Sequence, residues 1–292
     1  MNSIPAYPVF APLSLEMARE ISPHLVKLPD GVSEFSFAGL YLFRHRYNYH
    51  VSFKDCLLII SGELEGKKFF ITPCCSTDIA TVQELFKTHD YWKLISPAFL
   101  AKNREMMTAA GFGIIEDRDN FDYLYFRTEL ATLAGKKFHK KKNHVNSFEL
   151  NYPVHSVKKL DLVTRKDAQM VLDAWLEAQE DPADTDYRAS KEVLELIDQF
   201  EMTGLVLYVD NIAVAWCLGE TIGDGRIVAV HFEKARLDVR GAFQYINYLF
   251  AQSLPETVEF INREQDLGDE GMRQAKLTYR PSGFVEKYKV IK

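Results

Sequence analysis

A histidine and a glutamate two residues apart could carry acid–base chemistry in this chain. Residues 226–234 alternate apolar and polar side chains as a strand does, which places Ala229, His231 and Glu233 on one face. A general base works best when its pKa is close to the working pH, and the ordinary pKa of histidine meets that condition. We predict His231 or Glu233 as the base that takes a proton from an incoming ammonium. The alternative is a hydrogen-bonded structural pair.

A polar cluster follows the apolar strand predicted at 257–262, and it consists of Asn262, Arg263, Glu264, Gln265 and Asp266. The end of a central strand is where open α/β sheets place their sites. Asn262 and Glu264 should point to one face and Arg263 to the other. We predict that the cluster binds substrate, with its acids holding an ammonium and Arg263 or Asn262 orienting an ester carbonyl. The alternative is an ion-pair network that ties this turn to the helix containing Arg273 and Lys276.

A basic run lies in the middle of the chain and consists of Lys136, Lys137, His139, Lys140, Lys141, Lys142, Asn143 and His144. No acidic residue lies between Glu129 and Glu149. On a helix, residues four apart share a face. Such a row of charges can bind phosphates with release of counterions, so we predict a nucleic-acid contact here. The alternative is a solvated face on a helix that joins two domains.

The elements that would position these residues repeat along the chain. Each half offers a capped helix, a strand hairpin, and a helix that ends in Gly-Phe before a strand, as at Gly111-Phe112 and Gly283-Phe284. This pattern predicts an α/β fold with an internal duplication. We expect helices over 127–148 and 165–179, the second capped by Thr164, a turn at Asp210-Asn211, and one final strand over 284–291.

Length and charge set the domain organisation. A chain of 292 residues fits two domains. We place an N-terminal domain at 1–134, a basic connecting helix at 135–150, and at 151–292 a C-terminal domain with the site. The net charge is −6, divided as +1 in residues 1–150 and −7 in residues 151–292. That division excludes a protein that binds polyanions over its whole surface and leaves only a local patch.

The cellular setting follows from what the sequence lacks. No apolar stretch approaches the roughly 18 residues of a membrane span, and the N-terminus has no signal-peptide pattern. The cysteines show no metal-ligand spacing, so we predict no metal site and free thiols in a reducing cytoplasm; they are Cys56, Cys74, Cys75 and Cys217. The oligomeric state stays open.

The order of elements in 160–292 resembles the GNAT acetyltransferase fold. Four residues support this, because they match the family segment A-x-x-x-Y-x-x-x-G-F, and they are Ala275, Tyr279, Gly283 and Phe284. The first half has a degenerate version of the segment, with Met107 where the family has tyrosine. The resemblance implies that the fourth and fifth strands separate and hold an acyl donor beside His231 or Glu233. It also implies that Tyr279 protonates the leaving group, with Lys276 as the other candidate. The alternative for Tyr279 is a buried core tyrosine.

Two longer stretches, residues 135–148 and 260–281, look like signature blocks of proteins related to the C-terminal domain of phosphatidylglycerol lysyltransferases. That family is a tandem GNAT fold, and its characterised members move an aminoacyl group from charged tRNA to a lipid; Fem-type aminoacyltransferases share the arrangement. The resemblance implies a degenerate first copy, an aminoacyl-tRNA donor bound at the basic run, and a lipid or peptide acceptor with an amine or hydroxyl. Arg240 and Arg280 become phosphate candidates, and a cytoplasmic location at the membrane periphery becomes an option. The chain lacks the family's flippase portion and its D-L-M-R-type segment.

Two alternatives to aminoacyl transfer stay open. Coenzyme-A-binding members hold pyrophosphate on a glycine-rich turn, but the matching stretch, residues 236–243, keeps only Gly241 and has Phe243 at the second glycine position. A phosphate cradle needs bare backbone amides at a helix start, so we predict no resident cofactor and keep a coenzyme-A-dependent N-acyltransferase as the alternative. The other alternative is a tRNA- or lipid-binding module without turnover. For the aromatic stretch 35–43 we favour core packing over a lipid or base pocket.

Overall fold

The computed structural model describes residues 3–25, 28, 30–73 and 78–292, so Cys74 and Cys75 lie outside the described residues. The first half contributes strands and helices in this order: β1 Ala11–Pro12, α1 Ala18–Ile21, α2 Phe37–Leu42, α3 Arg44–Tyr47, β2 His50–Lys54, β3 Leu57–Leu64, β4 Lys67–Ile71, α4 Ile79–Leu85, β5 Tyr91–Ile95, α5 Pro97–Ala109, β6 Gly113–Glu116, β7 Asp122–Phe126 and α6 Arg127–Thr132.

The second half begins with the basic helix and continues in this order: α7 His139–Asn151, β8 His155–Lys159, α8 Arg165–Glu177, α9 Tyr187–Glu195, β9 Met202–Val209, β10 Ile212–Ile222, β11 Ile227–Ala235, α10 Ala242–Ser253, β12 Phe260–Asn262, α11 Glu270–Leu277, β13 Gly283–Val285 and β14 Tyr288–Ile291. Within the described residues, no helix combines the length and the apolar character that crossing a bilayer requires.

The strands form two seven-stranded sheets that exchange one strand each. The orders are β1-β2-β3-β4-β5-β14-β6 and β13-β7-β12-β11-β10-β9-β8. The prediction of one final strand over 284–291 is therefore wrong, because β13 belongs to the second sheet and β14 to the first. The domain boundary at residue 134 stays a prediction, although each sheet takes one strand from the far side of it.

Local geometry explains where the observed helices and turns differ from the predicted ones. Leu133 and Gly135 adopt left-handed φ angles of 48° and 87°, which divides the helix expected over 127–148 into α6 and α7. Thr164 does not cap α8, since its hydroxyl donates to the Lys159 carbonyl oxygen at 2.7 Å. The turn at Asp210-Asn211 is confirmed, with φ angles of 48° and 65° that close the β9–β10 hairpin.

The aromatic stretch 35–43 packs between the halves of the molecule. Every residue of α2 is buried, and the side chain of Ser36 caps the helix by accepting from the Gly39 amide. Phe43 stacks on Phe232 of the second sheet with ring centroids 6.1 Å apart. The core interpretation of this stretch is confirmed, and α2 lies directly against β11.

Candidate functional site

The second sheet opens where β12 ends. β11 and β12 pair in parallel only from Ile227–Ala229 with Phe260–Asn262, and β11 then continues to Ala235 without that neighbour. His231 and Glu233 of β11 lie beyond the last paired residue of that strand, Ala229, and the polar residues 263–266 follow Asn262, the last paired residue of β12. The opening is therefore lined from one side by residues 231–233 and from the other by residues 263–266.

A β-bulge in β11 determines which side chains share a face. The pairing with β10 runs from Leu218 with Phe232 to Gly219 with Val230, so His231 is an extra residue. A Cβ at Gly219 would lie 2.4 Å from the Ala229 carbonyl oxygen, which only glycine permits. The predicted shared face of His231 and Glu233 is wrong, because the bulge shifts the alternation by one residue.

His231 lies between two carboxylates on the face toward α2. Its Nδ1 is 2.6 Å from Glu264 Oε1 and its Nε2 is 2.8 Å from Glu220 Oε1. Burial of the ring lowers the pKa of His231, but the hydrogen bonds and charges of the two glutamates outweigh it and raise the pKa to about 10. The expectation of an unshifted pKa is wrong, and at neutral pH the imidazolium has no free lone pair to act as a base.

This triad, Glu220–His231–Glu264, keeps one net negative charge. The imidazole side chain is 1% exposed, whereas the side chains of Glu220 and Glu264 are 16% and 21% exposed. A small cation could therefore reach the carboxylates without displacing the ring. The alternative of a hydrogen-bonded structural pair of His231 and Glu233 is wrong, because His231 hydrogen-bonds to Glu220 and Glu264, while Glu233 contacts Asn247 and Arg263.

A basic cluster occupies the opposite face of the opening. Arg263 Nη2 lies 3.0 Å from Glu233 Oε1, and Asn247 of α10 donates to Glu233 Oε2 at 3.1 Å. The Arg263 guanidinium lies 4.8 Å from the centroid of the Tyr279 ring. Burial raises the pKa of Tyr279 to about 12, with Arg263 opposing that rise. Glu264 and Arg263 thus point to opposite faces, as the sequence pattern predicts.

Lys141 joins this cluster to the basic helix α7. Its Nζ lies 3.8 Å above the Tyr279 ring. Burial and the nearby Arg263 lower the pKa of Lys141 to about 8, while Glu233 opposes them. Six further residues of the predicted run are exposed to solvent, and they are Lys136, Lys137, His139, Lys140, Lys142 and Asn143. Lys137 also pairs with Glu129 at 2.6 Å. The basic run therefore extends from solvent into the opening.

Lys276 holds the turn that carries the polar cluster. Its ammonium donates to the carbonyl oxygens of Arg263, Glu264 and Gln265 at 2.7, 3.1 and 2.5 Å. Burial lowers the pKa of Lys276 to about 8. All three ammonium protons have acceptors, so this geometry gives Lys276 a structural contact in the resting protein. Its predicted part in leaving-group departure stays a prediction.

Asp266 lies in the ion-pair network that the sequence offers as the alternative to substrate binding. Its side chain is fully buried and accepts from Tyr123 at 2.6 Å and from Arg273 at 2.8 and 3.0 Å. Burial alone would raise the pKa of Asp266, but these donors hold it well below its usual range. Arg240 and Arg280 are both exposed. Their role as phosphate contacts stays a prediction.

Three residues of the site escaped the sequence prediction. Glu220 contacts His231, Asn247 contacts Glu233, and Asp122 accepts from Asn262 Nδ2 at 3.0 Å. Glu220 had a usable signal, since it follows Trp216 and Leu218 at a spacing of two on the same strand. Asn247 and Asp122 come from elements distant in sequence, and no local pattern points to them.

The helix start that would bind pyrophosphate in a coenzyme-A enzyme is covered. Gly241, at the N-terminus of α10, has a φ of 89°, and a Cβ there would lie 3.5 Å from the His144 carbonyl oxygen and 3.6 Å from the Phe148 side chain. Phe243 packs partly buried against the core of the second half. The basic helix α7 therefore occupies the space in front of this turn.

Comparison with known proteins is consistent with this architecture. A family model described as phosphatidylglycerol lysyltransferase, C-terminal, matches residues 26–291. The crystal structure of a conserved protein of unknown function from Bacteroides thetaiotaomicron VPI-5482 is 29% identical, with a TM-score of 0.86 and coverage of 97% of this chain and 99% of that chain.

More distant relatives agree on the fold. The C-terminal domain of a proposed lysylphosphatidylglycerol synthetase from Agrobacterium fabrum is 16% identical, with a TM-score of 0.63 over 95% of this chain and 90% of that chain. An uncharacterized protein of Mycoplasmoides gallisepticum is 22% identical over 172 residues, which cover 58% of this chain and 55% of that protein. This chain thus spans about half the length of that curated relative. The α/β fold with two GNAT-like copies is confirmed.

Proposed function

The chain belongs to the family of the phosphatidylglycerol lysyltransferase C-terminal region, and on that basis we propose that it transfers an aminoacyl group from aminoacyl-tRNA to a hydroxyl or amine of a lipid or peptide. One observation carries the proposal. The opening between β11 and β12 has an acidic face at Glu220 and Glu264 and a basic face that continues into α7. Such polarity suits a donor with an ammonium at one end and phosphates at the other.

The acidic face would bind the ammonium of the aminoacyl group. The triad has one net negative charge, and its glutamates are partly exposed while His231 is not. His231 would orient both carboxylates, because its imidazolium donates one hydrogen bond to each. We therefore propose Glu233, and not His231, as the base.

The basic face would carry the proton transfers. The acceptor oxygen or nitrogen forms a bond to the ester carbonyl carbon and gives its proton to Glu233, and the bond from that carbon to the ribose oxygen breaks. Lys141 donates a proton to the departing ribose oxygen, and a proton returns from Glu233 to Lys141 to complete the cycle. An ammonium with a pKa of about 8 suits a general acid at neutral pH. Arg263 would orient the ester carbonyl.

Blocking the donor's ammonium tests the acidic face. We expect the protein to bind aminoacyl-tRNA at least about ten times more tightly than the same tRNA with its α-amino group acetylated, since acetylation removes the charge that Glu264 would bind. In Glu264→Gln that preference should disappear. The measurement is a competition titration with both forms, and equal binding by the unaltered protein would remove the ammonium site.

The tRNA contact has a test of its own. We expect tRNA binding to weaken steeply with salt, and the triple substitution Lys136→Gln, Lys140→Gln, Lys142→Gln to reduce the slope of log K against log salt by about 2–3. A matched control replaces three exposed lysines of the first half, Lys67, Lys87 and Lys102, which should leave the slope unchanged.

The same titration separates the competing functions. Filter binding with charged tRNA at two salt concentrations, with acetyl-CoA as competitor, should show salt-sensitive binding that acetyl-CoA does not displace. If tRNA binding does not weaken with salt, the alternative holds and the basic run is only a solvated helix face. Saturable binding of acetyl-CoA alone would favour the coenzyme-A-dependent acyltransferase. Binding of tRNA without any transfer would favour the non-catalytic module.

A further inference from the structure

A cluster of charged side chains is buried between the two halves, next to the opening but outside it. Lys287 lies in the two-residue link between β13 and β14, and its side chain has no exposed surface. Its Nζ is 2.5 Å from Glu34 Oε2 and 2.6 Å from Asp122 Oδ1. The side chain of Asp122, at the start of β7, is equally buried. The cluster therefore joins the two exchanged segments.

Asp122 fixes the orientation of the Asn262 amide. The amide nitrogen of Asn262 donates to the Gly31 carbonyl oxygen at 2.9 Å and to Asp122 Oδ2 at 3.0 Å. Both amide protons then have acceptors, and the flipped amide would place its oxygen against two other oxygens. The backbone amide and hydroxyl of Ser33 also donate to Asp122, at 2.9 and 3.0 Å, which holds the carboxylate in place.

Asn262 in turn fixes the backbone of Glu264. With the nitrogen committed, Asn262 Oδ1 faces the other way and accepts from the Glu264 backbone amide at 2.7 Å. Glu264 has a left-handed φ of 56°, a conformation that a glutamate adopts only when its surroundings impose it. This conformation directs the carboxylate away from Arg263 and toward His231.

We propose that Asp122 and Lys287 are positioning residues that act through Asn262 to aim the Glu264 carboxylate at His231. Lys287 holds Asp122, Asp122 orients the amide, and the amide sets the φ angle of Glu264. The inference rests on the proposed function only in giving Glu264 an ammonium to bind. The position of the carboxylate itself can be measured without any substrate.

The pKa of His231 reports that position. In the intact protein the two carboxylates raise the pKa to about 10. Titration of ¹⁵N-labelled protein by NMR, with His231→Gln to assign the ring signals, should show this value, and Glu264→Gln should lower it by about 1–3 units. Asn262→Ala changes no charge, so a fall of similar size in that variant reports only a displaced carboxylate. Loss of its hydrogen bonds should leave the variant folded, since a few such contacts are only a part of the stability of a folded protein.

The direction in which the pKa of His231 changes in Lys287→Met provides a second test. Loss of a positive charge through space would raise the pKa of His231, whereas loss of the positioning chain should lower it. Asp167→Asn is the control, because it removes the charge of a carboxylate that accepts from the Tyr208 hydroxyl and takes no part in the contacts of Lys287, Asp122, Asn262 and Glu264. It should leave the pKa of His231 unchanged. A folded Asn262→Ala variant with the wild-type pKa would overturn the proposal, as would a raised pKa in Lys287→Met. The readout needs no turnover, so a failed transfer assay leaves this result intact.

Discussion

Lys141→Met should reduce the rate of aminoacyl transfer at pH 7 by about 100-fold or more, the usual contribution of a general acid. The Lys141 ammonium lies against Tyr279 and near Arg263 at the inner end of the basic helix. Its replacement should remove the proton that the leaving ribose oxygen needs. The measurement is single-turnover release of tRNA from lysyl-tRNA, with phosphatidylglycerol vesicles as the acceptor.

The pH profile separates this role from simple tRNA binding. An acid is active while protonated, so the rate in the unaltered protein should fall as the pH rises through about 8, the pKa of Lys141. Lys140→Met is the matched control, because Lys140 is exposed on the same helix and should affect only binding. A wild-type rate and profile in Lys141→Met would assign the proton donor to another residue, with Tyr279 next.

Lys287→Met should lower the free energy of unfolding by about 3–5 kcal/mol, since it leaves the buried carboxylate of Asp122 and the partly buried one of Glu34 without this cation. Burial alone would lower the pKa of Lys287, but Asp122 and Glu34 outweigh it and raise the pKa. Ser33 Oγ, 3.2 Å from Glu34 Oε2, and the charge of Lys93 remain near Glu34, whereas the hydrogen bonds that Asp122 keeps come from the neutral donors Ser33 and Asn262. Denaturation in urea measures the loss.

Lys289→Met is the matched control for stability. Lys289 lies two residues further along the chain, its side chain is 36% exposed, and it is 3.4 Å from Asp117. A pair of that kind contributes about 0–1 kcal/mol. Equal decreases in the free energy of unfolding of the two variants would show that the buried cluster stabilises the fold no more than a surface pair does.

Patterns within single elements made much of the fold predictable. The strand hairpins and the turn at Asp210-Asn211 follow from apolar periodicity and turn residues over short spans. The opposite orientations of Arg263 and Glu264 agree with the strand pattern, although β12 ends at Asn262 and the left-handed φ of Glu264 produces them. Each of these inferences needs only neighbours along the chain, which the sequence displays directly.

The errors arose where distant segments decide the outcome. His231 and Glu233 lie on opposite faces because β10 imposes a bulge, and the only local sign was Gly219 inside a strand. The shifted pKa of His231 depends on Glu220 and Glu264, from two other segments. A buried lysine such as Lys287 contradicts the general preference of charged side chains for the surface. Its carboxylate partners lie 165 and 253 residues away in sequence.

The exchange of strands has a consequence for how the chain is made. β14 lies between β5 and β6, so those two strands cannot pair with their final neighbour until residues 288–291 have left the ribosome. Until then the nascent first sheet presents two unpaired edges, and such edges favour aggregation. The first half is therefore synthesised early, but its sheet is completed only when the end of β14 is available.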